Sequence, residues 1–208
     1  MKTERLSTDH PQAVERALAV LQAGGLIALP TDTVYGLAAL VNDSQAIARI
    51  YQAKERSENK AIAVLVGELS QLDLVAGEIN ESARRLAAAF WPGALTLVLP
   101  SRSGLPENLS PLPTIGVRMP DHSFARRLLN AAGPLATTSA NLSGGPNPRN
   151  ASEVLDQLDG RIELVLDGGE VPGGVPSTVV DCTKPDFKIL RQGAISKERL
   201  QQIINNIT

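Results

Sequence analysis

Apolar positions along the chain follow two periods in turn, and each period predicts its own element. Val14, Ala17, Leu18 and Leu21 recur at i, i+3, i+4 and i+7, the spacing of one helix face. Pro11 stands where the first turn of that helix would begin, and Gly24-Gly25 where it would end, because glycine accepts the left-handed conformation beyond a helix. Leu26 to Leu29 is a short apolar run that predicts a buried strand, followed by Pro30 and the polar loop Thr31-Asp32-Thr33. Ser44 predicts an N-cap for a helix whose buried stripe is Ile47, Ile50 and Tyr51 and which gives out near Lys54. Ala83, Leu86, Ala87 and Phe90 mark a further helix, stopped by Pro92-Gly93, and Phe124 to Leu129 lies in another. Strands are expected at Ala61 to Val66, Ala94 to Leu99, Ile115 to Arg118, Leu135 to Thr138, Glu163 to Leu166, Thr178 to Cys182 and Lys188 to Arg191. Ser139 to Asn150 is rich in Gly, Pro, Ser and Asn and reads as a loop. Ser196 caps a C-terminal helix with the apolar face Leu200, Ile203, Ile204 and Ile207. Strand and helix patterns in alternation are the signature of an α/β domain. The Pro/Gly-rich stretches at 101–113 and 143–149 are too short to separate domains, so one domain over residues 1–208 is expected.

Composition narrows the function more than the fold. Apolar residues make up 43% and charged residues 20%, while aromatics are only 3%, so the core rests on Ala, Val, Leu and Ile. A net charge of −2 and a pI of 5.7 argue against a broad nucleic-acid surface and leave room for a local basic cleft. Cys182 is the lone cysteine, which excludes an internal disulfide and a cysteine zinc cage and fits a reducing cytoplasm. The start, Met1-Lys2-Thr3-Glu4-Arg5, leads into polar residues, and no apolar run reaches the roughly eighteen residues of a membrane span.

The sequence holds neither a G-x-x-x-x-G-K-[ST] phosphate loop nor a G-x-G-x-x-G dinucleotide loop. His10 and His122 are the two histidines; both fall beside helix starts and read as surface positions, so a Ser-His-Asp hydrolase is disfavoured. No H-E-x-x-H and no carboxylate cluster suggests a metal held by protein side chains. Cations, hydroxyls and amides instead gather at element ends. Lys54 and Arg56 are two apart with Lys60 close behind; if that stretch is extended, both cations face one spot, suited to a polyphosphate or carboxylate. The same mixed-charge segment also reads as an ordinary solvated loop. Ser139 and Asn141 repeat the spacing with a hydroxyl and an amide at a strand end, where α/β folds place ligands, although a simple polar turn reads equally well. Arg118 and Arg191 each end a strand. None of these groups titrates near neutrality, so they suit charge stabilisation and positioning of an anionic, phosphate-bearing ligand. Cys182 and Trp91 read as packing residues.

Six segments then occur in a fixed order: Pro30-Thr31-Asp32-Thr33-Val34-Tyr35-Gly36-Leu37, Lys54-x-Arg56, Thr114-x-Gly116-Val117-Arg118-x-Pro120, Thr138-Ser139-Ala140-Asn141-x-Ser143-Gly144, Pro176-Ser177-Thr178-Val179-Val180-Asp181 and Leu190-Arg191-x-Gly193. In this the chain resembles the YrdC-like family of threonylcarbamoyl-adenylate synthases, over about residues 10–195 and in its short, single-domain form. The resemblance implies an open, twisted mixed α/β sheet with flanking helices around a large concave positive cavity. It implies a nucleotidyltransferase that converts L-threonine, bicarbonate and ATP into threonylcarbamoyl-AMP and pyrophosphate, the first step of tRNA N6-threonylcarbamoyladenosine formation. By position, Arg56, Lys60, Ser139, Asn141, Asn147 and Arg191 would hold ATP, with Lys54 beside the phosphates; Lys54 and Arg56 would be the catalytic cations. Thr33, Arg118, Thr137 and Ser177 would hold threonine, Arg118 pairing with its carboxylate. Mg²⁺ would arrive with ATP and no organic cofactor is implied. The implied partners are tRNA and the tRNA-modification proteins that use the adenylate. Ser57, Lys60-Ala61-Ile62 and Leu65 depart from the family pattern, so the 57–65 loop is the least defined part.

Two other functions compete: a non-catalytic module that binds tRNA or other structured RNA, and a relative that transfers carbamoyl groups from carbamoyl phosphate. The acidic balance opposes the first, and the missing zinc-finger-like cysteines oppose the second. As cations expected to face solvent, Lys54 and Arg56 should affect activity more than stability when replaced by alanine.

Overall fold

Strand composition divides the molecule into a fully covered half and a half-open one. The computed structural model describes residues 2–172 and 175–205. In chain order the elements are β1 (Glu4–Ser7), α1 (Ala13–Gln22), β2 (Ile27–Leu29), β3 (Gly36–Leu40), α2 (Ser44–Lys54), β4 (Ala63–Leu65), α3 (Glu81–Phe90), β5 (Leu95–Pro100), β6 (Thr114–Arg118), α4 (Ser123–Ala132), β7 (Leu135–Ser139), α5 (Ala151–Leu158), β8 (Leu164–Asp167), β9 (Thr178–Asp181), β10 (Lys188–Arg191) and α6 (Lys197–Asn205). The strands form one mixed sheet in the order β1-β8-β2-β3-β7-β4-β6-β5-β9-β10. The pairs β1–β8, β2–β8, β4–β6 and β5–β9 are parallel and the other neighbours antiparallel. The expected mixed sheet with flanking helices is therefore present.

All three residues of β2 and the first three of β8 are buried, which is why they read as unbroken apolar runs: helices cover both faces. On one face α1 and α4 pack Ala17, Leu21, Phe124 and Leu128 onto Ile27, Leu29, Leu135 and Leu164. On the other, α2, α3, α5 and α6 bring Ile47, Ile50, Leu86, Val154 and Leu200 to Leu37, Val64, Leu97, Val117 and Val180. The strands β5, β6 and β9 alternate instead. Leu95, Leu97, Ile115, Val117 and Val180 point into the core, while Val98, Thr114, Gly116 and Val179 are half-exposed. That half-exposure, in strands interior to the sheet, marks a stretch of the first face that α1 and α4 leave open.

Several expectations move by a residue or two for identifiable reasons. Helix α1 starts at Ala13, with Gln12 at its cap, two residues beyond Pro11. The cap of α2 is Asp43 rather than Ser44: its Oδ1 accepts from the backbone N–H of Gln45 and Ala46 at 3.0 and 2.9 Å. His122 caps α4 through Nδ1, which accepts from Ala125 N at 3.3 Å. It is half-buried and not the surface residue the sequence suggested; burial draws its pKa below the usual value. Strands β1 and β3 and helix α5 were not anticipated. Ile207 of the expected C-terminal apolar face lies outside the described residues, whereas Leu200 is fully buried. Trp91 and Cys182 are packing residues as expected: Trp91 Nε1 donates to Leu95 O at 2.7 Å, and burial pushes the Cys182 thiol up to about 12.

Candidate functional site

The open stretch is floored by small side chains that lie next to one another across five strands. Val98 of β5 pairs with Gly116 of β6, Ala63 of β4 with Thr137 of β7, and Gly36 of β3 with Ser139 of β7. A Cβ on Gly116 would lie 3.3 Å from Thr96 Cγ2, and one on Gly36 would meet Thr137 Cγ2 at 2.8 Å. Larger residues would fill this floor. Functional groups stand at its two ends.

Arg118 closes β6 and is buried. Its Nε donates to Gly93 O at 2.9 Å, Nη1 to Thr33 Oγ1 at 2.8 Å, and Nη2 to Asp32 Oδ1 at 2.5 Å. Each contact has a local cause. The Pro92-Gly93 stop after α3 turns the Gly93 carbonyl toward the guanidinium, and a Cβ there would be 2.6 Å from Phe90 O. Buried Thr31 builds the loop that carries Asp32 and Thr33. Its Oγ1 donates to Val34 O at 2.7 Å and accepts from Thr33 N and Val34 N at 3.2 and 3.3 Å. Burial lowers the Arg118 pKa, and the Asp32 carboxylate opposes that shift. Three of the five guanidinium N–H groups are thus engaged, leaving one on each terminal nitrogen.

Beside it, Arg191 ends β10 and donates from Nη2 to Ser177 O at 2.9 Å and to Ser177 Oγ at 3.2 Å. Ser177 Oγ lies 2.7 Å from Thr96 Oγ1, and Arg191 is close enough to depress the Arg118 pKa further. The residue expected to hold ATP and one expected to hold threonine therefore touch directly. Thr137 is buried in β7 with its hydroxyl donated to Leu135 O at 3.0 Å.

At the other end the expected geometry fails. Residues 54–56 are not extended: Glu55 is left-handed (φ 52, ψ 44) and ends α2, so Lys54 and Arg56 diverge. Lys54 is not solvent-facing; it is among the largest fully buried side chains. Its Nζ donates to Ser139 O and Asn141 O, both at 2.5 Å, and to Asn141 Oδ1 at 3.3 Å, while its carbonyl accepts from Ser143 N at 2.8 Å. Burial, with the Arg56 charge second, pushes Lys54 down to about 7, against the expectation that none of these groups titrates near neutrality. Asn141 is committed as well. Its Oδ1 also accepts from Ser139 Oγ at 2.5 Å, and its Nδ2 donates to Leu142 O and Gly145 O, both at 2.8 Å. Lys54, Ser139 and Asn141 therefore form a staple that ties the end of α2 to the 139–145 loop.

Arg56 is half-exposed and its Nη2 donates to Ala61 O at 3.0 Å, yet its Nε is buried without a partner among the described residues. Lys60 and Asn147 are exposed and make no side-chain hydrogen bonds among the described residues. Asp32 and Thr96 belong to the site and were not picked out from the sequence. Asp32 carries a signal in hindsight, a carboxylate inside a Thr-Asp-Thr loop, whereas Thr96 carries none. No helix among the described residues is long and apolar enough to cross a membrane.

Comparison with known proteins places this geometry. The Sua5/YciO/YrdC family model, described as "Telomere recombination", matches residues 19–193. The threonylcarbamoyl-AMP synthase of Bacillus subtilis is 43% identical over 99% of this chain and 60% of its own length. That of Pyrococcus abyssi is 41% identical over 92% of this chain and 57% of its own. The chain thus spans about three-fifths of those relatives. The crystal structure of P. abyssi Sua5 complexed with L-threonine superposes with a TM-score of 0.92 at 37% identity, covering 99% of this chain and 61% of that one.

Proposed function

The chain belongs to the Sua5/YciO/YrdC family, and from that premise we propose that it is an L-threonylcarbamoyladenylate synthase. L-threonine and bicarbonate give the carbamate with loss of water, and a carbamate oxygen then attacks the α-phosphate of ATP and expels pyrophosphate. The observation that carries this reading is the buried Arg118 guanidinium, fixed by Gly93, Thr33 and Asp32 and keeping one N–H on each terminal nitrogen. A preoriented guanidinium of this kind suits a planar carboxylate. The threonine in the related Sua5 crystal structure supports an amino-acid carboxylate as its ligand.

ATP then lies over the open floor toward Arg56, whose buried, unpartnered Nε suits a phosphate oxygen, with Lys60, Asn147 and Arg191 around it. This stretch would be the concave positive cavity of the family. Ser139 and Asn141 act mainly by holding the loop, and Lys54 by holding both. Among the described residues no three His, Cys, Asp or Glu side chains gather as a metal cage, so we assign Mg²⁺ to the phosphate oxygens of incoming ATP. The protein supplies positioning and charge, with no covalent nucleophile. We place the activity in the cytoplasm, with tRNA-modification proteins taking up the adenylate.

Pyrophosphate release tests the reading: it should require threonine, and equal release without threonine would dismiss it. Because Arg191 bonds Ser177, Arg191→Ala should raise the KM for both ATP and threonine, each by roughly tenfold. Steady-state kinetics with each substrate varied would check this; a change confined to ATP would contradict the shared contact. Its guanidinium is only partly buried, so the variant should melt close to the wild type.

A further inference from the structure

Asp32 is paired with Arg118 in an unusual way for a charge that serves only to neutralise. Two carboxylate oxygens facing a guanidinium normally settle into a bidentate pair. Asp32 uses Oδ1 alone, at 2.5 Å from Arg118 Nη2, and Oδ2 has no hydrogen-bond partner among the described residues. Its side chain is 16% exposed, against 8% for Arg118, so the carboxylate reaches the edge of the open floor. Thr31 fixes the backbone of the loop that carries Asp32. The result is one free carboxylate oxygen next to a guanidinium that keeps an N–H on each terminal nitrogen.

This charge pattern is complementary to a zwitterion whose ammonium and carboxylate sit on one carbon. Building on the synthase reading above, we propose that Asp32 receives the α-ammonium of the amino acid whose carboxylate sits on Arg118. Arg118 and Asp32 then act as one clamp. It selects an α-amino acid over the 2-hydroxy acid of the same shape, because a hydroxyl brings no charge to Asp32. Once the ammonium has given a proton to solvent, the amine still donates a hydrogen bond to Oδ2, which orients its lone pair for attack on the bicarbonate carbon, the N–C bond forming as water leaves.

Calorimetric titration of threonine and of 2,3-dihydroxybutanoate into the full chain tests this, with ATP titrated as a control. The wild type should bind threonine at least roughly tenfold more tightly than the hydroxy acid. Asp32→Asn should weaken threonine by about ten- to hundredfold and leave the hydroxy acid and ATP nearly unchanged. Asp32→Glu, which keeps the charge, should recover part of the loss. Tighter threonine binding in Asp32→Asn would overturn the proposal, since Asp32 would then be competing with the substrate carboxylate. Equal weakening of both ligands would overturn it as well, reducing Asp32 to a support for Arg118. If Asp32→Asn does not fold, the wild-type comparison decides, and equal affinities overturn the clamp. A wild type that binds ATP and neither acid removes the synthase reading itself, a result distinct from lost discrimination.

Discussion

Replacing Lys54 with alanine is expected to lower the melting temperature by about 6–12 °C, corresponding to roughly 3 kcal/mol for a chain of this size. A surface lysine would change stability by no more than about 0.5 kcal/mol. The difference follows from burial and bonding. The Lys54 ammonium serves two backbone carbonyls, Ser139 O and Asn141 O, in a site closed to water. Its removal leaves both carbonyls short of a donor and opens a void where the stem lay. Lys54→Met refills most of the volume and should recover only the packing part. Lys54 also makes stability depend on pH. It titrates near 10.5 when unfolded and at about 7 when folded. Between those values the unfolded chain binds more protons, so this residue makes stability rise with pH. Urea unfolding at pH 7 and pH 9 should show the wild type gaining stability relative to Lys54→Met; a constant difference would mean that the ammonium keeps its ordinary pKa.

Arg118→Lys is expected to lower kcat/KM for threonine by about a hundredfold or more while leaving the KM for ATP within about twofold. Lysine keeps the charge and loses the fork. It cannot serve Gly93 O, Thr33 Oγ1 and Asp32 Oδ1 together and still keep a donor on each of two nitrogens for a carboxylate. The loss should appear mainly as a raised KM for threonine. An equal fall with ATP varied would mean that Arg118 supports the whole site and not the amino-acid end.

Much of the sheet was legible because burial leaves an apolar trace: Leu26–Leu29, covered on both faces, contains β2, and Ala94–Leu99 and Leu135–Thr138, whose leucines are buried, overlap β5 and β7. The missed elements lack that trace. Strand β1, Glu-Arg-Leu-Ser, is a short edge strand with one large apolar residue, and β3 opens with glycine inside the Tyr35-Gly36 motif. Helix α5 does carry the helical set Ala151, Val154, Leu155 and Leu158, behind an Asn150 cap, but the Gly/Pro-rich segment before it masked its start.

The site was legible as a set of element ends, and Arg118, Ser139 and Arg191 do end strands. Its inner connections were not. Lys54 was assigned to solvent because a lone lysine is rarely buried. What buries it is a pair of backbone carbonyls 85 and 87 residues away, which leave no side-chain signature. Asp32 meets Arg118 only through a fold that brings residues 86 apart together. Order along the chain identified which residues matter; only the three-dimensional pairing separated those that hold the loop from those free to meet a substrate.

Mass spectrometry of a reaction containing ATP, L-threonine and ¹³C-bicarbonate tests the central claim most directly. The synthase reading predicts an adenylate that carries both threonine and the ¹³C label, formed together with pyrophosphate and absent when either threonine or bicarbonate is omitted. Pyrophosphate or AMP appearing without a labelled, threonine-bearing adenylate would contradict it.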